Sequence, residues 1–137
     1  MQKVEHIGIA VSDLDAANAL YERLLGVAPY KEEVVAHEGV RTSFFRVGPT
    51  KVELLEATHS QSPIARFIDR RGEGIHHIAF EVTDIRAEMA RLRAEGFQLL
   101  SEVPRQGADN KLVCFVHPKS AGGVLIELCQ SIEPESA

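Results

Sequence analysis

Polar and hydrophobic residues alternate through the first segment, and a helical period then replaces the alternation. Lys3–Val11 alternates as a β-strand does, which places His6 on one face and Ile7 on the other. Ser12-Asp13 is a typical helix start, and apolar residues then recur at helical spacing as far as Gly26. Further strands are predicted over 30–35, 40–47 and 51–57. The first half therefore predicts the order β-α-β-β-β.

The same pattern begins again at Gly74. A strand over 75–82 precedes Thr83-Asp84, which caps a helix that ends at Gly96. Strands are predicted over 97–103, 112–117 and 124–130, with a loop over 105–111. The repeat predicts an α+β fold of two tandem βαβββ modules, 3–58 and 74–130, joined by a connector, 59–73. We expect one domain over residues 1–137, with a polar tail from Ser131 onward.

Composition excludes several classes of function. The net charge is −5 and the sequence has no basic stripe, which argues against nucleic acid as a partner. No apolar run approaches the ~20 residues that span a bilayer, and a predicted strand, without a signal-peptide pattern, begins the chain. We therefore expect a cytoplasmic protein without a membrane partner. Cys114 and Cys129 lie in apolar strands and are expected to be reduced core thiols.

The internal repeat pairs four residues that can bind a metal. His6 corresponds to His77, at a separation of 77 − 6 = 71, and Glu53 corresponds to Glu127, at 127 − 53 = 74. Both glutamates interrupt apolar strands, where a buried carboxylate is costly unless it is compensated. Two imidazoles and two carboxylates suit an octahedral Co²⁺, Mn²⁺, Fe²⁺, Ni²⁺ or Zn²⁺ ion. The alternative is that the glutamates lie on solvated faces and the histidines only pack, but matched pairs favour the metal site.

The other histidines lack this matching. Alternation places His76 on the face opposite His77, toward the module helix, and Glu5 stands at its equivalent position in the first module, so a packing or hydrogen-bonding role is expected. His37, His59 and His117 lie in or beside predicted turns.

Several stretches of the chain resemble the methylmalonyl-CoA epimerase family, within the vicinal oxygen chelate (glyoxalase, bleomycin resistance, dioxygenase) superfamily. They are Glu5–Val11, Thr50–Leu55, Ser62–Ala65, Gly74–Ile78 and His117–Leu128. The last, HPKSAGGVLIEL, is the most specific, and the similarity extends from about His6 to Glu127. The resemblance implies a curled mixed sheet in which two modules form a cup around a metal.

The resemblance also implies a set of site residues and partners. The metal ligands would be His6, His77 and Glu127, with Glu53 in the place that Gln takes in some members. One divalent metal per chain is expected, with Co²⁺ favoured. The substrate would be an acyl-CoA of propionate metabolism, and the enzyme a homodimeric isomerase.

The expected reaction is the epimerisation of (R)- and (S)-methylmalonyl-CoA, by α-proton removal and return through a metal-stabilised enolate. The resemblance assigns one proton transfer to Glu127. The chain departs from some family members at Thr42, where they carry a second catalytic Glu, and Thr is no general base at neutral pH. The other carrier could be Glu53, Lys119, or a water held by Thr42. Thr42 and Lys119 are also candidate substrate-binding residues. Lys119 could contact the substrate carboxylate or the CoA phosphates, or could equally be a solvated turn lysine.

Two alternatives remain at this point. A glyoxalase I-like lactoylglutathione lyase also moves a proton through a metal-bound enediolate, so the ligand set does not distinguish it from an epimerase. A bleomycin-resistance-type binding protein needs no metal and no His/Glu quartet, so the intact quartet argues against it.

Overall fold

The two sequence repeats form two compact units in the computed structural model, which describes residues 1–132. The N-terminal unit comprises His6–His76, and the C-terminal unit comprises Met1–Glu5 together with the chain from His77 onward. Most of the polar tail predicted from Ser131 lies outside the described residues. No described helix has the length and apolar character needed to cross a membrane. The organisation as one domain stays a prediction.

The α+β class and the two βαβββ modules are confirmed. The α-helices are α1 (Leu14–Leu25), α2 (Pro63–Arg71) in the connector, and α3 (Ile85–Ala94). Short 3₁₀ turns cover Ala36–Glu38 and Pro118–Ala121. The strands are β1 (Lys3–Ala10), β2 (Lys31–Val35), β3 (Val40–Val47), β4 (Thr50–Ala57), β5 (Gly74–Glu81), β6 (Arg105–Gln106), β7 (Lys111–Val116) and β8 (Ile126–Ser131).

The sheet of the N-terminal unit follows the order β2-β3-β4-β1, with β1 and β4 parallel and the other pairs antiparallel. Opposed residues on neighbouring strands share a face of the sheet. The register sets Gly8 on β1 and Phe44 on β3 opposite Glu53, so His6, two residues before Gly8, shares the face of Glu53. Helix α1 packs on the other face, where Leu14 joins a core with Phe45 and Leu54.

The C-terminal unit repeats this arrangement in the order β5-β8-β7-β6. The first residues of β1 lie beside β5, where the Gln2 N–H donates to the Glu81 carbonyl at 2.8 Å. Ala79 on β5 and Phe115 on β7 lie opposite Glu127, so His77 shares the face of Glu127. Helix α3 packs on the opposite face through an aliphatic core that includes Ile85, Met89 and Leu128.

Both module helices begin in the same way. The side chain of Asp13 accepts a hydrogen bond from the Ala16 N–H at 3.1 Å, and that of Asp84 accepts one from the Ala87 N–H at 3.1 Å. Both caps are extended, with φ/ψ of −137°/104° and −135°/97°. The Ser-Asp and Thr-Asp signals in the sequence therefore act through their aspartates.

The last strand of each module also contacts the start of its helix. Glu56 on β4 accepts from the Leu14 N–H at 2.7 Å, and Gln130 on β8 accepts from the Ile85 N–H at 2.8 Å. Both residues stand three positions after the glutamate of the proposed site, since 53 + 3 = 56 and 127 + 3 = 130. The contact satisfies an otherwise orphaned helix N–H and ties the helix to the glutamate-bearing strand.

One strand prediction is wrong. Residues 97–103 form no strand apart from a single bridge from Leu99 to β7, and the short strand β6 lies at Arg105–Gln106, inside the predicted loop. The turn between β6 and β7 is made by Asp109 and Asn110, which have positive φ angles of 56° and 55°. Asp and Asn tolerate this conformation, so the hairpin turns at these two residues. The residues that pair with β7 are therefore those after Pro104.

Candidate metal centre

The N-terminal unit buries one histidine and one glutamate of the predicted quartet side by side. His6 on β1 and Glu53 on β4 are each 5% exposed. The Nε2 atom of His6 lies 3.2 Å from Oε2 of Glu53. The contact follows from the parallel register, in which His6 stands two residues before the partner of Glu53 on the same face.

The C-terminal unit contains the equivalent pair with the same spacing. His77 on β5 is 4% exposed and Glu127 on β8 is 6% exposed. The Nε2 atom of His77 lies 3.2 Å from Oε1 of Glu127. Phe115, directly opposite Glu127, meets the His77 ring edge-on with centroids 5.8 Å apart, which orients the imidazole.

These residue types fit a divalent transition metal. Each unit supplies an imidazole nitrogen and a carboxylate oxygen, both buried, and these are the donors that such ions bind. His6, His77 and Glu127 all offer suitable ligand atoms. Burial of a glutamate beside a histidine, in place of an apolar pair, costs free energy that a bound cation would offset.

A buried thiol lies next to the second pair. Cys129 on β8 is fully buried and donates to the Phe80 carbonyl at 3.5 Å. Burial first, and then the carboxylates of Glu127 and Glu5, raise the pKa of this thiol above its usual range, because each disfavours the thiolate. Cys114 is also buried, and both cysteines are free, which confirms the prediction of reduced core thiols.

His76 differs from its neighbour His77 as alternation predicts. Its ring meets Phe67 of helix α2 edge-on, with centroids 5.0 Å apart. The contact confirms a packing role, although the partner is the connector helix and not the module helix.

The two candidate substrate-binding residues have different surroundings. Thr42 on β3 is fully buried, and its hydroxyl donates to the Glu33 carbonyl at 3.3 Å. Lys119 lies exposed in the 3₁₀ turn over Pro118–Ala121. Its backbone N–H donates to Nδ1 of His117 at 3.0 Å. Glu33, which the sequence pattern did not single out, is the direct cross-strand neighbour of Thr42. Only the antiparallel register of β2 and β3 reveals this neighbour, because the 3₁₀ turn between the two strands sets the register and the sequence pattern did not predict that register.

Comparison with known proteins decides the family. The sequence profile of the Glyoxalase/Bleomycin resistance protein/Dioxygenase superfamily matches residues 5–115. The chain belongs to this superfamily. The superfamily resemblance carried by the short stretches is therefore confirmed.

Relatives in this superfamily are similar over almost the whole chain. An ethylmalonyl-CoA/methylmalonyl-CoA epimerase from Cereibacter sphaeroides is 42% identical over 93% of this chain and 97% of its own length. The mitochondrial methylmalonyl-CoA epimerase of Homo sapiens is 40% identical over 94% of this chain and 74% of its own length. A Streptomyces coelicolor methylmalonyl-CoA epimerase in complex with 2-nitronate-propionyl-CoA superposes with a TM-score of 0.94. It is 36% identical and covers 100% of this chain and 99% of its own.

Proposed function

We propose that this protein is an isomerase that interconverts (R)- and (S)-methylmalonyl-CoA. The proposal is supported by similarity, over more than nine tenths of this chain, to a methylmalonyl-CoA epimerase and to an ethylmalonyl-CoA/methylmalonyl-CoA epimerase. The observation that carries it is the matched, buried His–Glu pair in each module, at the same 3.2 Å spacing. A metal-free binding protein gives no reason to bury two such pairs.

His6, Glu53, His77 and Glu127 would hold one divalent cation, and the family favours Co²⁺. When bound, the cation supplies a Lewis acid that lowers the energy of negative charge on the thioester oxygen. The chain's own carboxylates handle the proton. Glu127 removes the hydrogen from the carbon between thioester and carboxylate, and the bonding pair delocalises towards the thioester oxygen as the enolate forms.

The remaining expectations concern the substrate and the assembly. Thr42 and Lys119 stay candidate substrate contacts, and Lys119 is placed in an exposed turn where an anionic group of an acyl-CoA could reach it. A homodimer and a cytoplasmic location also stay predictions.

The test is proton exchange in deuterated water. Protein reconstituted with Co²⁺ is expected to interconvert the two epimers and to label their α-carbon with deuterium. The glutathione hemithioacetal of methylglyoxal, offered in parallel, is expected to give no lactoylglutathione. Labelling of neither epimer by the metal-loaded protein would reject the epimerase, and lactoylglutathione formation would favour the lyase.

Adjacent histidines provide a matched control for the metal. We expect His77→Ala to lose the bound Co²⁺ and the exchange activity, because it removes a ligand. His76→Ala removes the ring that meets Phe67 on the opposite face of the strand, and this variant should retain both. Metal content is measured by elemental analysis after dialysis. Equal metal content in both variants would contradict the ligand assignment.

A further inference from the structure

A second carboxylate lies on the sheet face that carries His6 and Glu53. Glu53 on β4 stands opposite Phe44 on β3, and Phe44 stands opposite Lys31 on β2. Glu33 follows Lys31 by two residues and therefore points to the same face. Among the described strand residues of the N-terminal unit, Glu33 and Glu53 are the carboxylates on this face. The residue between Lys31 and Glu33, Glu32, points to the α1 side.

The contacts around Glu33 hold its carboxylate on this face. Lys31 Nζ lies 3.2 Å from Glu33 Oε1, and the same ammonium lies 5.7 Å from the centre of the Phe44 ring. The Thr42 hydroxyl donates to the backbone carbonyl of Glu33 at 3.3 Å, so the buried hydroxyl is engaged by β2. The Glu33 side chain is 30% exposed, which leaves it in contact with solvent.

Epimerisation needs a group with these properties. A proton removed from one side of the α-carbon must be replaced from the other side, so two proton carriers are required. Glu127 accounts for one. Glu53 is buried against His6, whereas Glu33 reaches solvent and can exchange its proton with water after each turnover.

Comparison of the two modules shows that the fold does not require a carboxylate at the position of Glu33. Phe44 and Phe115 are equivalent, since each lies opposite the site glutamate of its own module. Two residues earlier, Thr42 stands opposite Glu33 in the first module, whereas Val113 stands opposite Arg105 in the second. The same edge-strand position therefore carries a carboxylate in one module and a guanidinium in the other.

We propose that Glu33 is the second proton-transfer residue of the epimerisation, with Glu127 as the first. This assignment rests on the proposed function. In one direction, Glu127 takes the α-proton, the C–H bonding pair enters the enolate, and the protonated carboxyl of Glu33 delivers a proton as the new C–H bond forms. Glu127 leaves the cycle protonated and Glu33 ionised, and exchange with water restores both. The opposite direction reverses these roles.

The adjacent acid Glu32 gives a matched control. Its carboxylate accepts from Asn18 at 3.1 Å and from Arg41 at 3.2 Å, on the α1 side of the sheet. Glu33→Gln and Glu32→Gln each replace one carboxylate by an isosteric amide, one residue apart on the same strand. Both are prepared with bound Co²⁺, and their metal content and melting temperature are compared with those of the wild type.

Each epimer is then incubated separately in deuterated water. We expect Glu33→Gln to lower kcat for interconversion by about 100-fold or more, with KM nearly unchanged, because a proton carrier and not a binding group is lost. One epimer should still acquire deuterium without inversion, through Glu127. Glu32→Gln should interconvert both epimers as the wild type does, and Glu33→Asp should recover part of the lost rate.

Two results would overturn the assignment. Interconversion by Glu33→Gln at the rate of Glu32→Gln would show that its carboxylate transfers no proton. Loss of deuterium exchange into both epimers by Glu33→Gln would show a general defect of the site, and not the loss of proton transfer at one face of the α-carbon. Failure of the wild type to exchange or interconvert either epimer would instead reject the proposed function itself.

Discussion

The two modules are alike in the His–Glu pairs of the proposed metal site and differ at the positions proposed to transfer protons. Each has an aspartate-capped helix tied to its last strand, and each buries a His–Glu pair at 3.2 Å. Beside these pairs the modules diverge. Thr42 faces Glu33 in one, and Val113 faces Arg105 in the other. A symmetric ligand set suits a metal, whereas the two faces of an α-carbon require different groups, so we interpret the divergence as functional.

The cores diverge as well, although both modules keep the same order of strands in the sheet. The first module packs Phe45 against α1, and the Tyr21 ring lies 6.4 Å from it. The buried core beside α3 in the second module consists of aliphatic side chains with Met89 and Cys114, and Phe97 packs against it. Cores of different chemistry support one backbone as long as volume and pattern are kept.

The largest expected effect separates the two site glutamates. Glu127→Gln should lower kcat for epimerisation by about 10²–10⁴-fold, because an amide oxygen can still bind a cation but cannot accept the α-proton. Glu53→Gln should lower it much less, since this position is proposed to act as a ligand. Steady-state kinetics on both variants, with metal content measured on the same samples, tests this. Equal losses would mean that the two carboxylates share the proton transfer.

A smaller effect tests whether the repeated caps are equivalent. Asp13→Ala and Asp84→Ala should each destabilise the protein by about 1 kcal/mol, because each leaves a helix N–H without its acceptor. Urea unfolding of both variants gives the two values. The comparison fails if one cap contributes several times more than the other, which would mean that one helix is held mainly by its remaining contacts.

The smallest effect concerns a charge network found in the first module. Arg41 binds Asp15 at 3.0 Å and Glu32 at 3.2 Å, whereas its equivalent in the second module, Leu112, packs against the aliphatic core. Arg41→Leu should change the free energy of unfolding by about 1 kcal/mol or less, because exposed ion pairs contribute little. Raising the salt concentration should reduce the difference between wild type and variant. A loss that persists in high salt would assign the role to packing of the Arg41 stem instead.

Much of the fold followed from local pattern, and the failures have physical causes. Strand β3 begins and ends where the sequence predicts, at Val40 and Val47, because its aromatic and β-branched residues favour a strand and turn residues lie on both sides of it. The prediction of a strand over 97–103 was wrong because apolar content alone does not provide a pairing partner. The short strand at Arg105–Gln106 instead follows from the positive-φ turn at Asp109 and Asn110.

By itself, the sequence determined the two modules, the helix caps and the four residues of the proposed metal site. These can be recognised because a repeat preserves spacing, and because a carboxylate within an apolar strand is costly without a partner. Only the tertiary structure decided which side chains lie across from one another. It placed Glu33 opposite Thr42, and it joined Glu56 and Gln130 to the starts of the helices. Strand register depends on turn geometry and on pairing between distant residues, and a shift of one residue would turn Glu33 to the α1 side of the sheet.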